Sequence, residues 1–555
     1  MPDHKNHHEA TVGSRGDFLK AGGTALAGTA FASELLSSQS VPIASASEGV
    51  ATPFELDEVS LVTLQEGMKS GKYTSKQLVE MYATRIEVID RRGPQLNSII
   101  EMNPDALVIA GQLDAERKAN GPRGPLHGIP VVIKDNIATA DKMQTTAGSL
   151  ALVGSKPPRD SAVAARLRAA GTVILGKTNP TEWANIRSAH STSGWSGRGG
   201  LTRNPYCLSR NTSGSSSGSA SAIAANLCAV SVGTETDGSI VSPSNICCLV
   251  GIKPTVGLVA RTGIIPISHT QDTAGPLART VSDAAALLSA LAGPDSADPP
   301  TTAARGHIEP DYTRFLDVNG LRGARVGVVR KFAGFSDDVD RLFDDAIDAM
   351  KRAGTEVVDP VEIATMDKIY DAEGMVLLYE FKEGLNKYLA WLGESTQVHT
   401  LRDVIKFNEN HREKEMPYFG QDMFLQAEAK GPLTSPEYLK ALDDSRRLSR
   451  TEGIDAVMDK FKLDALTAPT GSPAWTTDLV NGDHFVAGSS TLAAVAGYPH
   501  ITIPMGFVFG LPVGISFFGR AWSEPMLIKL AFSYEQLTRS RRPPRYLPVA
   551  DLTAK

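Results

Sequence analysis

The chain predicts an α/β fold around a largely buried sheet. Three observations carry this. The runs 131–133, 172–175 and 229–232 are apolar but for Thr172 and Ser231, as strands covered on both faces are. Stretches of helical period alternate with them. Two later segments, 461–468 and 500–504, read as strands returning to the same sheet. The composition, 42% hydrophobic and 21% charged over 555 residues, is that of an ordinary globular protein.

In chain order, Thr74-Ser75-Lys76-Gln77 has the capping-box pattern, and Leu78, Tyr82, Ile86 and Ile89 follow at helical spacing. The helix should stop near Arg91-Arg92-Gly93-Pro94. After strand 131–133, Asp160 is placed to cap an alanine-rich helix over 162–170, with Gly171 as its terminator. Strand 172–175, a small-residue helix over 219–227 and strand 229–232 come next. The stretch 294–312, rich in Pro, Ala, Asp and Thr, reads as a surface loop. From about 337 to 461 charge and helical period both increase, and Ser435-Pro436 marks a helix start. With no internal repeat and no heptads, one large domain over 54–545 is expected, carrying a helical insertion around 337–461.

Residues 1–47 read as an export leader and tail. Ser14-Arg15-Gly16-Asp17-Phe18-Leu19-Lys20 is similar to the twin-arginine motif, with Gly16 in place of the second arginine. A Gly/Ala-rich stretch follows, and Ala44-Ser45-Ala46 is a cleavage candidate. The expected destination is periplasmic or secreted; without a working leader it is cytoplasmic.

A net charge of −6 and the lack of a Lys/Arg stripe argue against nucleic acid as a partner. No apolar run is long enough to insert across a bilayer. The four cysteines, Cys207, Cys228, Cys247 and Cys248, form no C-x-x-C, and a bridge between the adjacent pair would be strained. No cluster has metal-ligand spacing, so neither a metal nor a cofactor is expected.

Two motifs mislead. Gly171-Thr172-Val173-Ile174-Leu175-Gly176-Lys177-Thr178 matches the P-loop pattern, but its middle is a β-branched strand whose N–H groups belong to a ladder, not to phosphate. Gly214-Ser215-Ser216-Ser217-Gly218 matches the nucleophile elbow of α/β-hydrolases, with His484 or His500 as a paper partner. The elbow needs a strand before it, and 204–212 is loop chemistry.

The same serines allow another chemistry. Lys134 ends the apolar run 128–133; Ser215, Ser216 and Ser217 open an alanine-rich helix; Ser239 closes a second Gly-Ser turn after a strand. A serine attacks only when something accepts its proton, and a desolvated lysine can do so. Singly, each residue has a plain structural reading. Lys134 suits a strand end with its amine in solvent, and Ser239 suits a turn cap. A shift of one residue would put Ser216 or Ser217 in the place of Ser215. Trp183, Asn185, Trp195 and Trp475 suit packing, with a cleft lining as the alternative; Asp272 reads as a brace for the Ser239 loop.

Together, three segments resemble the amidase signature family over about 54–545. They are Gly128-Ile129-Pro130-Val131-Val132-Ile133-Lys134-Asp135-Asn136, the serine run 214–220 with Gly233-Thr234-Glu235-Thr236-Asp237-Gly238-Ser239-Ile240, and Gly251-Ile252-Lys253-Pro254-Thr255-Val256-Gly257. Lys177-Thr178-Asn179, Glu182-Trp183-Ala184-Asn185, Ser193-Gly194-Trp195-Ser196, Leu378-Tyr379-Glu380-Phe381-Lys382 and Ala521-Trp522-Ser523-Glu524-Pro525 are most similar to the bacterial peptide amidases. Asp237 stands where the common family pattern has glycine, a variant shared by that subfamily.

The resemblance implies a three-layer α/β/α sandwich around a large, mixed, twisted sheet. It implies a Ser-Ser-Lys triad: Ser239 as nucleophile, Ser215 as bridging serine behind a cis peptide, and Lys134 as base. The backbone N–H groups of Thr236, Asp237, Gly238 and Ser239 would form the oxyanion hole. The implied activity is hydrolysis of carboxamide bonds, with peptides bearing a C-terminal amide as substrate. The rivals are an amidase of small acyl or aryl amides, the glutaminase subunit of a tRNA-dependent amidotransferase, and a non-catalytic binding protein on the same scaffold. A monomer is favoured.

Overall fold

Thirteen strands order the described residues, 54–554, of the computed structural model; the leader read at 1–47 lies outside them. In chain order they are β1 (Ile99–Met102), β2 (Pro130–Lys134), β3 (Val173–Thr178), β4 (Trp195–Ser196), β5 (Gly200–Leu201), β6 (Val230–Glu235), β7 (Val250–Lys253), β8 (Thr273–Ala278), β9 (Arg325–Val328), β10 (Glu356–Val358), β11 (Ala465–Pro469), β12 (His500–Val508) and β13 (Leu511–Phe518). Eleven of them make one sheet in the order β1-β3-β2-β6-β8-β7-β12-β13-β11-β9-β10. It is mixed: β3, β2 and β6 run parallel, as do β11, β9 and β10, while the β6-β8-β7-β12-β13-β11 pairs are antiparallel. Helices cover both faces, so β2, β3, β6, β7 and β8 are buried along their whole length. This is the α/β sandwich expected from the sequence.

Local signals place most elements. The helix Ser75–Arg85 forms its capping box: Gln77 N–H donates to Thr74 Oγ1 (3.1 Å) and Thr74 N–H to Gln77 Oε1 (2.8 Å). It continues as the π-helical turn Ile86–Arg92 and stops at Gly93. Two expectations shift. Ser161, not Asp160, caps the helix Ala162–Ala169; Asp160 instead accepts Ala140 N–H and pairs with Arg168. The hydroxyl at 161 sits one residue closer to Ala164 N–H, so it takes the cap. The segment read as a strand from 461 begins as the end of the helix Asp455–Phe461, and β11 starts only at Ala465. Stretch 294–312 contains the 3-10 turn Pro299–Thr302, and all four cysteines are free and buried.

The segment 337–461 is not helical throughout. The helix Asp337–Arg352 buries Phe343, Ile347 and Met350 in the main core, and β10 adds the sheet's edge. The helices from Tyr370 to Glu428 build a second apolar cluster, where Phe424 meets both Trp183 and Phe381. A buried ion cluster fastens this cluster to the core. Arg187, 1% exposed, bonds Glu182 and lies 3.8 Å from Glu415, both of them buried. Glu415 also accepts Leu150 N–H (2.6 Å), and Glu182 accepts Gly197 N–H (2.5 Å). Arg187→Ala would leave two carboxyl groups buried without their cation, so a loss of about 3–5 kcal/mol is expected, measured as a fall in the denaturation midpoint.

Candidate active site

Parallel neighbours end on the same side of a sheet. Here that side gathers the C-terminal end of β2, which carries Lys134, and the end of β6, which runs on into Thr236 to Ser239. The helix Ser217–Ala224 is buried at every residue, and its small side chains let it lie against β6. Its first turn brings the 213–216 loop over the same strand end: Ser216 N–H donates to Ser239 C=O (3.2 Å). The peptide Gly214–Ser215 is cis. Glycine is required at 214, because a Cβ there would lie 2.2 Å from Thr181 Oγ1.

Lys134 is 0% exposed. Its Nζ lies 2.8 Å from Ser215 Oγ, 2.9 Å from Thr234 Oγ1 and 3.3 Å from Thr234 C=O. Asn136 Nδ2 donates to the same Thr234 hydroxyl (2.9 Å). Among the described residues no carboxylate is in ion-pair contact with this amine. Burial therefore drives its pKa from 10.5 down to about 7, and the more distant Asp272 and Glu235 offset only part of the fall. The sign for stability follows. Between about pH 7 and 10.5 the unfolded chain holds this proton and the folded chain does not, so this group's contribution to stability rises with pH across that window.

The three candidate serines part company here. Ser216 Oγ donates to Thr234 C=O (3.1 Å) and accepts Thr234 N–H (3.2 Å). Ser217 Oγ donates to Ser213 C=O (2.7 Å) and meets Thr181 Oγ1 (3.1 Å). Ser215 is the one that meets the lysine.

The loop 236–239 is braced from outside. Glu235 Oε2 accepts the N–H groups of Ile240 (2.7 Å) and Val241 (3.0 Å). Thr236 Oγ1 donates to Asp272 Oδ1 (2.5 Å), while Asp272 Oδ2 accepts Ile267 and Ser268 N–H. Asp272 is thus the brace that the sequence suggested. Gly238 has φ +78, the left-handed region that suits glycine. Among the described residues the N–H groups of Asp237, Gly238 and Ser239 have no acceptor within the chain. They border a cleft of about 820 Å3, whose walls include Asn185, Tyr370, Trp475 and Phe485.

Trp475 lines this cleft, held by its Nε1 bond to Asp483 (3.1 Å) and by Phe485 edge-on at 5.7 Å. Trp183 and Trp195 pack instead, against Phe424 and against Tyr418 and Phe419. Sequence reasoning missed Thr234, Asn136 and Glu235. They lie inside the quoted motifs, but nothing local tells a hydroxyl that cradles an amine from one that fills a strand.

The misleading motifs resolve in the same terms. The P-loop match is β3, paired on both sides, with Lys177 buried on Ile137 C=O (2.6 Å) and Thr145 Oγ1 (2.8 Å). No strand leads directly into the serine run, since 202–212 has only isolated bridges. His500 is buried in β12 on Ser516 Oγ (2.6 Å), with its pKa pushed down to about 3 by burial. His484 lies exposed beside Asp478.

Residues 77–528 match the family described as Amidase. A probable amidase of Arabidopsis thaliana is 44% identical over 507 residues, covering 90% of this chain and 93% of its own. The native peptide amidase of Stenotrophomonas maltophilia superposes with a TM-score of 0.84 at 50% identity, covering 89% of this chain and 99% of that one. A glutamyl-tRNA(Gln) amidotransferase component of Pseudomonas syringae pv. syringae is 32% identical, covering 87% of this chain and 98% of its own.

Loss of a catalytic histidine costs about 10⁶ in kcat. His484→Ala is expected to leave amide turnover within about twofold of the parent, measured as kcat at neutral pH.

Proposed function

We propose, since this chain belongs to the amidase family and hydrolyses amide C–N bonds, that its substrates are peptides with a C-terminal amide and that Ser239, Ser215 and Lys134 form its catalytic triad. One observation carries the triad: a buried amine with no anionic contact lies 2.8 Å from a serine hydroxyl. An ammonium in that place would be starved of solvation, so the neutral amine, with a free lone pair, is well populated at about pH 7 and becomes the main form above it. The peptide reading is supported by the similarity to the Stenotrophomonas peptide amidase and by the cleft, whose size is in the usual range of about 300–1,000 Å3 for ligand sites.

The proposed relay has three members. Ser239 Oγ bonds to the amide carbon as its proton passes to Ser215, whose own proton passes to Lys134 Nζ. The carbonyl oxygen becomes an oxyanion and is held by the N–H groups of the 236–239 loop, each worth about 3 kcal/mol. The relay runs back, the nitrogen takes the proton, the C–N bond breaks and ammonia leaves. Water then attacks the acyl-enzyme, giving its proton to the same relay, and the peptide departs as a carboxylic acid.

The deciding experiment is ammonia release from an N-blocked peptide amide, with mass analysis of the product. Ammonia with a product changed only from terminal NH2 to OH supports this reading. Turnover of small aryl or alkyl amides alone would keep the triad and replace the substrate; turnover of glutamine alone would favour the amidotransferase-type reading that the Pseudomonas relative suggests. Lys134→Ala is expected to lower kcat by about 10⁴ or more, and Ser215→Ala to cost more than Ser216→Ala. Because the base must be neutral, kcat should rise with pH through about 7 in the parent enzyme.

A further inference from the structure

Asp237 lies in the loop whose N–H groups border the cleft, yet its carboxyl is engaged elsewhere. Oδ1 accepts from Ser490 Oγ (2.5 Å) and Oδ2 from Thr491 Oγ1 (2.6 Å). A third contact arrives from the helix Tyr370–Leu392: the carboxyl of Glu373 is in hydrogen-bond contact with that of Asp237. Glu373 is buried, and its Oε1 accepts from Gln271 Nε2 (2.9 Å). The same amide nitrogen reaches Thr236 C=O (3.4 Å). Glu373 therefore grips two consecutive loop residues, Asp237 directly and Thr236 through Gln271.

Two carboxyl groups in hydrogen-bond contact need one proton between them. The bonding pattern assigns it. Both oxygens of Asp237 accept from hydroxyls, as a carboxylate's do, whereas Glu373 has one oxygen accepting and the other free to carry an O–H toward Asp237. Burial and the neighbouring Asp237 charge hold Glu373 well above the usual carboxylate range. The other charged or titratable groups around the pair are Glu235 at the end of β6, Lys253 at the end of β7, and Tyr370 on Glu373's own helix, beyond which lie Lys331 and Asp367. The helix Thr491–Ala496 contributes hydroxyl and apolar groups only.

We propose that Glu373 is a positioning residue of the oxyanion loop: as a neutral acid it donates to Asp237 and keeps Thr236 to Ser239 in the conformation that presents their N–H groups to the cleft. This rests on the reading of that loop as the oxyanion hole. When Glu373 loses its proton, two carboxylates face each other at close range and repel, and the loop gives way. Turnover therefore falls on the alkaline side while substrate binding is retained.

The test compares kcat and KM against pH for the parent, Glu373→Gln, Glu373→Ala and Ser239→Ala on a peptide amide, with thermal melting as the check of folding. A glutamine amide donates to Asp237 at every pH, so Glu373→Gln should lose the alkaline fall and keep more of kcat than Glu373→Ala. Glu373→Ala should lower kcat about tenfold or more with KM within about twofold, less than the about 10²–10³ of losing an oxyanion donor outright. A parent with no alkaline fall, or a Glu373→Gln profile that falls as the parent's does, overturns the proposal. If Glu373→Ala does not fold, the glutamine profile decides alone. An inactive Ser239→Ala beside an unchanged Glu373→Gln profile sinks only the carboxyl pair; a fully active Ser239→Ala sinks the reading of the site beneath it.

Discussion

The burial of one amine without a counter-ion is the constraint around which this molecule is arranged. Removing an ammonium from water costs several kcal/mol even after relaxation. Lys134 escapes that cost by giving up its proton near neutrality, and the escape works only while its surroundings stay dry and uncharged. Thr234 and Asn136 supply dipoles, not charges; the carboxyls of Asp272 and Glu235 are kept out of contact by bonds of their own. An acid moved into contact with Nζ would restore the ammonium and remove the lone pair.

The sheet makes that environment. β2 and β6 are parallel neighbours in the buried half of the sheet, so the side chain at the end of one faces the turn that follows the other. The helix Ser217–Ala224 closes the space with serine, glycine and alanine, which bring backbone close without adding bulk. Acids are plentiful around this end, but each is committed. Glu235 holds the N–H groups just beyond the loop, Asp272 the threonine at its start, and Asp237 two hydroxyls. The N–H groups of Asp237 to Ser239 are left over because these bonds lie on either side of them.

How much of this was legible depends on how local its cause is. The buried strands showed because a strand covered on both faces has no alternation to hide. The meeting of Lys134 with Ser215 was signalled by segments whose spacing is distinctive, although only the fold separates Ser215 from Ser216 and Ser217. The cap at Ser161 and the helix ending at Phe461 were misplaced by short distances, because a neighbouring hydroxyl competes in one case and an apolar residue suits both helix and strand in the other. The cleft wall was legible only in part. Asn185 and Trp475 stood out with a cleft lining as the alternative to packing, whereas nothing marked Tyr370 or Phe485, and nothing near Glu373 marks it as a neighbour of Asp237. Segment 337–461 looked uniform in composition, yet it divides between the main core and a second cluster, since amphipathic helices do not record which surface they cover.

An open sheet of eleven strands has two margins, and each is a template on which a further strand from another molecule could pair. Both margins are blunted. β10 is three residues long, and its first, Glu356, is tied to Arg325 of the adjoining strand (2.6 Å). β1 has four residues, an irregular register between Ile99 and Glu101, and a carboxylate there paired with Arg198. Sheet growth by edge-to-edge addition, the common route from a large β-surface to aggregate, is therefore opposed by short, kinked, charged ends.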